Sequence, residues 1–201
     1  MVGGLVGDIK SAREIAMEKV EKLGEATEEE RLRWKYVPQG ETLATKYLKE
    51  DCNLVAELSQ YQENARKYII EGATEILIRI ISLPQNDVAK RNNRRVMDGV
   101  KTLKSDKVSV ENAYSKIRYL FNHYAEQGEQ QRKQVYESLK TEFETKIQQE
   151  IQQQLGSLIG VKIDVEKQPQ FQQEWHKIQT QLDSQYLSLL KEYKQELSGI
   201  V

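Results

Sequence analysis

Apolar residues recur at spacings of three and four along most of this chain, and the breaks in that pattern divide it into helices. Ile9, Ala12, Ala16, Val20 and Leu23 form a first stripe. Asp8 or Ser11 caps it, Glu14 completes a capping box with Ser11, and Gly24 stops it. Thr27 and Glu30 repeat the capping-box spacing and start a short helical turn. Pro38 disfavours helix in the residue before it, so the turn is expected to end near Val37, with a reversal at Gln39 and Gly40. The run RLRWKYV over residues 31–37 also alternates as a strand does, and that extended reading stays open beside the helical one. In the helical reading, Trp34 and Tyr36 pin the reversal onto an N-terminal bundle.

Residues 41–50 read as a short helix, after which Asp51 or Asn53 can cap a much longer one. Its stripe is Leu54, Leu58, Tyr61, Ala65, Tyr68, Ile69, Gly72, Ile76, Ile80 and Leu83, and Pro84 ends it. The isoleucine-rich end also suits a strand, but its length favours helix. Asn86 or Asp87 caps the next helix, which has a thin face of Val88, Val96, Val100 and Leu103. Residues 108–155 contain no proline, and one continuous helix there would reach roughly 70 Å. Its second half carries Val135, Leu139, Phe143, Ile147, Ile151 and Leu155 in steps of four, a seam that winds around a straight helix. The last helix keeps one straight face: Phe171, Trp175, Ile178, Leu182, Tyr186, Leu189, Tyr193, Leu197 and Ile200. Between the two, Val161, Ile163 and Val165 alternate with polar residues as in a half-exposed strand, which can pair with RLRWKYV. The expected fold is all-α. A helical bundle over residues 1–106 precedes a long glutamine-rich hairpin over 107–201, with room for one short two-stranded element.

Composition sharpens this picture. Charged residues are 30% and hydrophobic residues 38% of the 201 positions, which suits long helices with a solvated face. A formal charge of -1 argues against a chain tuned as a whole to nucleic acid or anionic membrane. Cys52 is the only cysteine, which excludes an intramolecular disulfide and points to a cytoplasmic setting. No run approaches the roughly 18 apolar residues that span a bilayer, so neither secretion nor membrane insertion is expected.

Candidate chemistry is sparse. Residues 90–107 hold seven cations against two acids, a local charge of +5. Lys90, Arg91, Arg94, Arg95, Lys101 and Lys104 are the candidate nucleic-acid contacts, weighed against a solvated face that pairs with acidic segments. His123 and Glu126 share a helical face, but the paired Glu-x-x-His motifs of a di-metal bundle are missing, so no metal and no cofactor are expected. His176 beside Trp175 reads as a solvent-facing ring. Cys52 precedes a helix start that can activate a thiol, although a buried inert thiol is the commoner case. Tyr114, Tyr119, Tyr124 and Phe121 can line a pocket or stack on bases, while their spacing equally fits a half-buried seam. The sequence has no GxSxG, HExxH, P-loop or GxGxxG, and no catalytic residue is assigned.

The stretch SAREIAMEKVEKLGEATEEERLRWKYVPQGETLATKYLKEDCNLVAEL resembles the opening of uncharacterised bacterial helical proteins that carry a domain of unknown function, over roughly the first 85 residues. The resemblance implies a bacterial, cytoplasmic setting and no particular activity. The expected function is a non-enzymatic interaction or scaffold protein that forms homo-oligomers or binds a protein partner through its C-terminal helices. The expected interface residues are Val135, Leu139, Phe143, Ile147, Ile151, Trp175, Leu182, Tyr186, Leu189 and Tyr193. One alternative is a nucleic-acid-associated protein using residues 90–107. Another is an enzyme whose site lies among buried Glu, His123 and Tyr side chains.

Overall fold

A computed structural model describes Gly24 and residues 26–50, 52–155 and 164–201 of the chain. Among the described residues it is all-α, with six α-helices, one 3-10 turn and no strand. The first predicted helix, residues 8–23, lies outside the described residues. The chain divides into two compact units, Met1–Ile76 and Leu77–Val201.

In the first unit, α1 (Glu28–Lys49) starts at the expected capping box: the Glu30 amide donates to Thr27 Oγ1 at 3.2 Å and the Thr27 amide to Glu30 Oε2 at 2.8 Å. The helix does not end at Val37. It runs through Pro38 and absorbs both the expected turn and the expected second helix. Pro38 lies on the exposed face, so the Trp34 carbonyl that loses its intrahelical donor is on the side that water reaches. RLRWKYV is therefore helical, and the extended reading and its ribbon are overturned. Trp34 is 49% exposed and does not pin a reversal. Tyr36 is the anchor, its ring meeting Tyr61 edge-on at 6.5 Å.

The long helix expected from Leu54 is broken. Asn53 caps α2 (Leu54–Ser59), accepting from the Val55 and Ala56 amides, and α3 (Glu63–Ile80) starts after a gap. Arg66 holds the gap open by donating to the Tyr61 carbonyl at 2.8 Å and the Ser59 carbonyl at 3.2 Å. Carbonyls released at a helix end thus find partners without a glycine or proline stop. Leu43 and Ala44 of α1, Leu54, and Ala65, Tyr68, Ile69 and Ala73 of α3 are buried. Gly40 of α1 sits against the α3 backbone at Ile69 and Ala73, and Gly72 of α3 sits against Val37.

In the second unit, Asn86 caps α4 (Asp87–Leu103), which turns Asn93, Val96, Met97, Val100 and Leu103 inward. Asn93 clamps the preceding loop, donating to the Ser82 carbonyl at 2.6 Å and accepting from the Ser82 amide at 3.0 Å. Asn93→Ala leaves both loop groups without these partners and is expected to cost about 2–3 kcal/mol in urea unfolding, with an unchanged m-value. The 49-residue helix α5 (Lys107–Leu155) and α6 (Pro169–Gly199) form the hairpin. Contacts from Lys116 to Glu196, Tyr124 to Asp183 and Lys140 to Glu166 step in opposite directions along the chain, so the two helices are antiparallel. The linker enters α6 through the 3-10 turn Val165–Lys167, where a strand was expected; residues 161–163 of that strand lie outside the described residues.

Lysine side chains close three helix ends, the place where carbonyls and the helix dipole favour a cation. Lys194 donates to the Arg79 and Ile81 carbonyls at 2.7 and 2.8 Å, Lys104 to the Ser198 and Ile200 carbonyls, and Lys107 to the Lys101, Thr102 and Lys104 carbonyls.

Candidate functional site

Two parallel lines of residues on α6 have different fates. Asp183, Leu190 and Leu197, spaced by seven, are buried. Leu182 and Leu189 each precede a member of that line by one residue, about 100° round the helix, and remain half covered or exposed. With Ile178, Tyr186 and Tyr193 they form one wall of a groove of about 590 Å³, and Tyr119, Leu120 and His123 of α5 form the other. Leu189 is 40% and Tyr119 73% exposed. Gln131, Gln181 and Gln185 also line the groove, and no Asp, Glu, Lys or Arg does. The surface is apolar and neutral, and its polar groups are amides, phenols and one imidazole.

A polar cluster around the buried Asp183 and Tyr124 supports the middle of this groove from behind. Asp183 Oδ2 accepts from the Tyr124 hydroxyl at 3.2 Å and from Gln85 Nε2 at 3.3 Å. Arg132 Nη1 lies 3.5 Å from Asp183 Oδ1, close enough for ion pairing but outside hydrogen-bond geometry, so that oxygen has no hydrogen-bond partner. The guanidinium also covers the Tyr124 ring at 4.1 Å and donates to the Tyr124 carbonyl at 3.1 Å. Burial pushes the Tyr124 phenol up, so it stays a protonated donor at neutral pH. Tyr186 packs edge-on to Tyr124 at 5.0 Å and shares a 3.0 Å hydrogen bond with His123 Nδ1. Gly128 gives this arrangement room: a Cβ there would lie 3.0 Å from the Tyr186 hydroxyl and 3.1 Å from Arg132 Nη1, and both side-chain ends would have to shift slightly. Asp183, Arg132 and Gln85 were not singled out in the sequence. The available signal was an aspartate seven residues before Leu190 and fourteen before Leu197, where an apolar residue belongs.

The expected interface residues separate into two groups. Leu139 joins Val165 and Phe171 in a buried cluster, with Tyr136, Phe143, Ile147 and Trp175 packed against it. Tyr136 meets Phe171 at 5.5 Å and Trp175 at 5.0 Å, and Phe143 meets Phe171 at 5.4 Å, all edge-on. Val135 and Ile151 are half-buried on the same helix. Leu182, Tyr186, Leu189 and Tyr193 are the members that reach the groove.

The basic segment is spread over different tasks. Lys104 caps α6, and burial lowers its pKa. Lys101 pairs with Glu111 at 2.9 Å, Lys90 pairs with Asp87 at 3.3 Å, and Arg95 is half-buried. Arg91 is exposed, while Lys90, Arg94 and Lys101 share a cleft between α4 and α5. Cys52 is half-buried, and burial with Glu57 nearby pushes its thiol up, away from the thiolate. His176 and Glu126 are exposed. Among the described residues no cluster of three or more His, Cys, Asp or Glu is placed to hold a metal ion, and no helix is long and apolar enough to cross a membrane.

No curated protein and no solved structure matches the chain. The family match starts inside the stretch that carries the N-terminal resemblance and extends through the hairpin, so it takes in the groove, the polar cluster behind it and the α4–α5 cleft. By the match of residues 55–199, the chain belongs to the family of unknown function DUF6657.

Proposed function

We propose that this protein is a non-enzymatic scaffold of the bacterial cytoplasm that pairs with a second copy of itself through the α5–α6 groove. The observation that supports it most is the wall of Leu182, Tyr186, Leu189 and Tyr193 facing Tyr119, with Gln131, Gln181 and Gln185 as its polar lining. A two-fold interface must be complementary to itself. Leucine and tyrosine fulfil that condition, and a glutamine amide both donates and accepts, so it can pair with another copy. A charged lining would meet its own charge across the axis, and this groove has none. The net charge of -1 adds no appreciable long-range repulsion between copies. The single cysteine and the N-terminal resemblance support the setting.

Leu189→Glu places a carboxylate in the apolar wall at a position that is itself 40% exposed. Loss of one buried leucine, about 1.5–3 kcal/mol, is expected to weaken self-association at least tenfold in analytical ultracentrifugation, at unchanged helix content. Self-association of equal strength in Leu189→Glu counts against the groove as the interface.

A further inference from the structure

A second concavity, separate from the self-association groove, lies between α4 and α5 and encloses about 410 Å³, within the usual range of roughly 300–1,000 Å³ for small-molecule sites. Lys90, Arg94 and Lys101 reach it from α4, and Arg118 from α5. Glu111 and Asp98 are the acids in the lining, so four cations face two carboxylates. Glu111 is committed: it takes hydrogen bonds from both Lys101 and Arg118, which hold its carboxyl below the usual range. Arg94 has no ion-pair or hydrogen-bond partner among the described residues, and Lys90 makes an exposed ion pair with Asp87 and a longer-range attraction to Glu129. Met97, Tyr114, Phe121 and Pro84 supply the apolar part of the lining. The Tyr114 hydroxyl is turned away into the Met97 carbonyl at 2.6 Å, which leaves its ring as an apolar surface.

We infer that this cleft binds a small phosphate monoester with an aromatic or other apolar body, the phosphate held by Arg94, Lys90 and Arg118 and the body lying on Met97 and Phe121. The excess of two positive charges matches the charge of about -1.5 to -2 on such a phosphate at neutral pH. Cations from two helices can reach three phosphate oxygens, whereas a carboxylate offers two. Asp98 and Asn122 remain in the lining to take a hydroxyl or amine of the ligand. Only part of the basic segment enters this site. Arg118 lies outside that segment, and Arg91, fully within it, does not line the cleft.

Isothermal titration of the full chain with phenyl phosphate, inorganic phosphate and benzyl alcohol tests the inference. Phenyl phosphate is expected to bind saturably and more tightly than either fragment. Arg94→Gln is expected to weaken it about tenfold or more, the effect of removing a charge-assisted contact, while Arg91→Gln leaves it within about twofold. Both side chains are exposed, and circular dichroism is the check that each variant is folded. Leu189→Glu, which breaks the proposed self-association, leaves phenyl phosphate binding unchanged, so the two proposals fail separately. Absence of saturable binding, equal binding of phenyl phosphate and inorganic phosphate, or an equal loss in Arg91→Gln overturns the site; the last result would instead describe a general polyanion surface.

Discussion

Replacing Arg132 with methionine is expected to destabilise the second unit by about 3–5 kcal/mol, because it leaves the buried Asp183 carboxylate without its counter-charge. Arg132 and Asp183 side chains are 16% and 8% exposed, so water does little to compensate either ion. Tyr124 and Gln85 still donate to Oδ2, but they carry no charge. The double variant Arg132→Met/Asp183→Leu removes both ions and is expected to recover most of the loss, as apolar replacements of buried pairs commonly do. A double-mutant cycle by urea unfolding reads the coupling directly. If Arg132→Met costs less than about 1 kcal/mol, the pair behaves as a surface contact and the groove lacks the fixed support assigned to it.

Gly40→Ala and Gly72→Ala are each expected to destabilise the first unit by about 2–3 kcal/mol, against the gain of about 1 kcal/mol that alanine normally brings to a helix interior. A Cβ on Gly40 collides with the Ile69 carbonyl oxygen and comes within 2.8 Å of the Ala73 amide nitrogen. On Gly72 it collides with the Val37 carbonyl oxygen and lies 3.0 Å from the carbonyl carbon. These obstacles are backbone, so no rotamer change relieves them, and α1 and α3 must move apart. Gly199→Ala is the control, because a Cβ there meets nothing within 4 Å. Thermal unfolding of the three variants separates the cases: a neutral or stabilising Gly40→Ala contradicts the close crossing.

That crossing also explains why α1 continues through Pro38. Proline is a local stop signal, and at Pro38 the local rule predicts a helix end. Tertiary packing outweighs it: Gly40, Leu43 and Ala44 are buried only if the helix continues past the proline. Conversely, nothing local marks the stop after Ser59, since Arg66 supplies the hydrogen bonds from the far side of the gap. The caps at Thr27, Asn53 and Asn86 were legible because a side chain and an amide two or three residues away suffice to make them. So was the all-α class, carried by long stripes of period near 3.6.

At the candidate site, periodicity located the apolar face of α6 but not its division. Leu182, Tyr186, Leu189 and Tyr193 belong to the same stripe as the buried Leu197, and the buried Leu190 falls outside that stripe. Which half is covered depends on where α5 lies, which is not encoded within α6. Asp183 stayed hidden because a lone aspartate on an amphipathic helix reads as a solvent-facing residue. Its meaning comes from Arg132, fifty-one residues away. The cations of residues 90–107 looked like one patch because they are close in sequence, yet Lys104 caps α6 while Arg94 enters a cleft with Arg118 of another helix.

Occupation of the α5–α6 groove by a second copy of the chain is tested most directly by sedimentation equilibrium of the full chain from low to high micromolar concentration. The expected mass rises with concentration to twice the 23.4 kDa of one chain and stops there. A mass of 23.4 kDa at every concentration contradicts it.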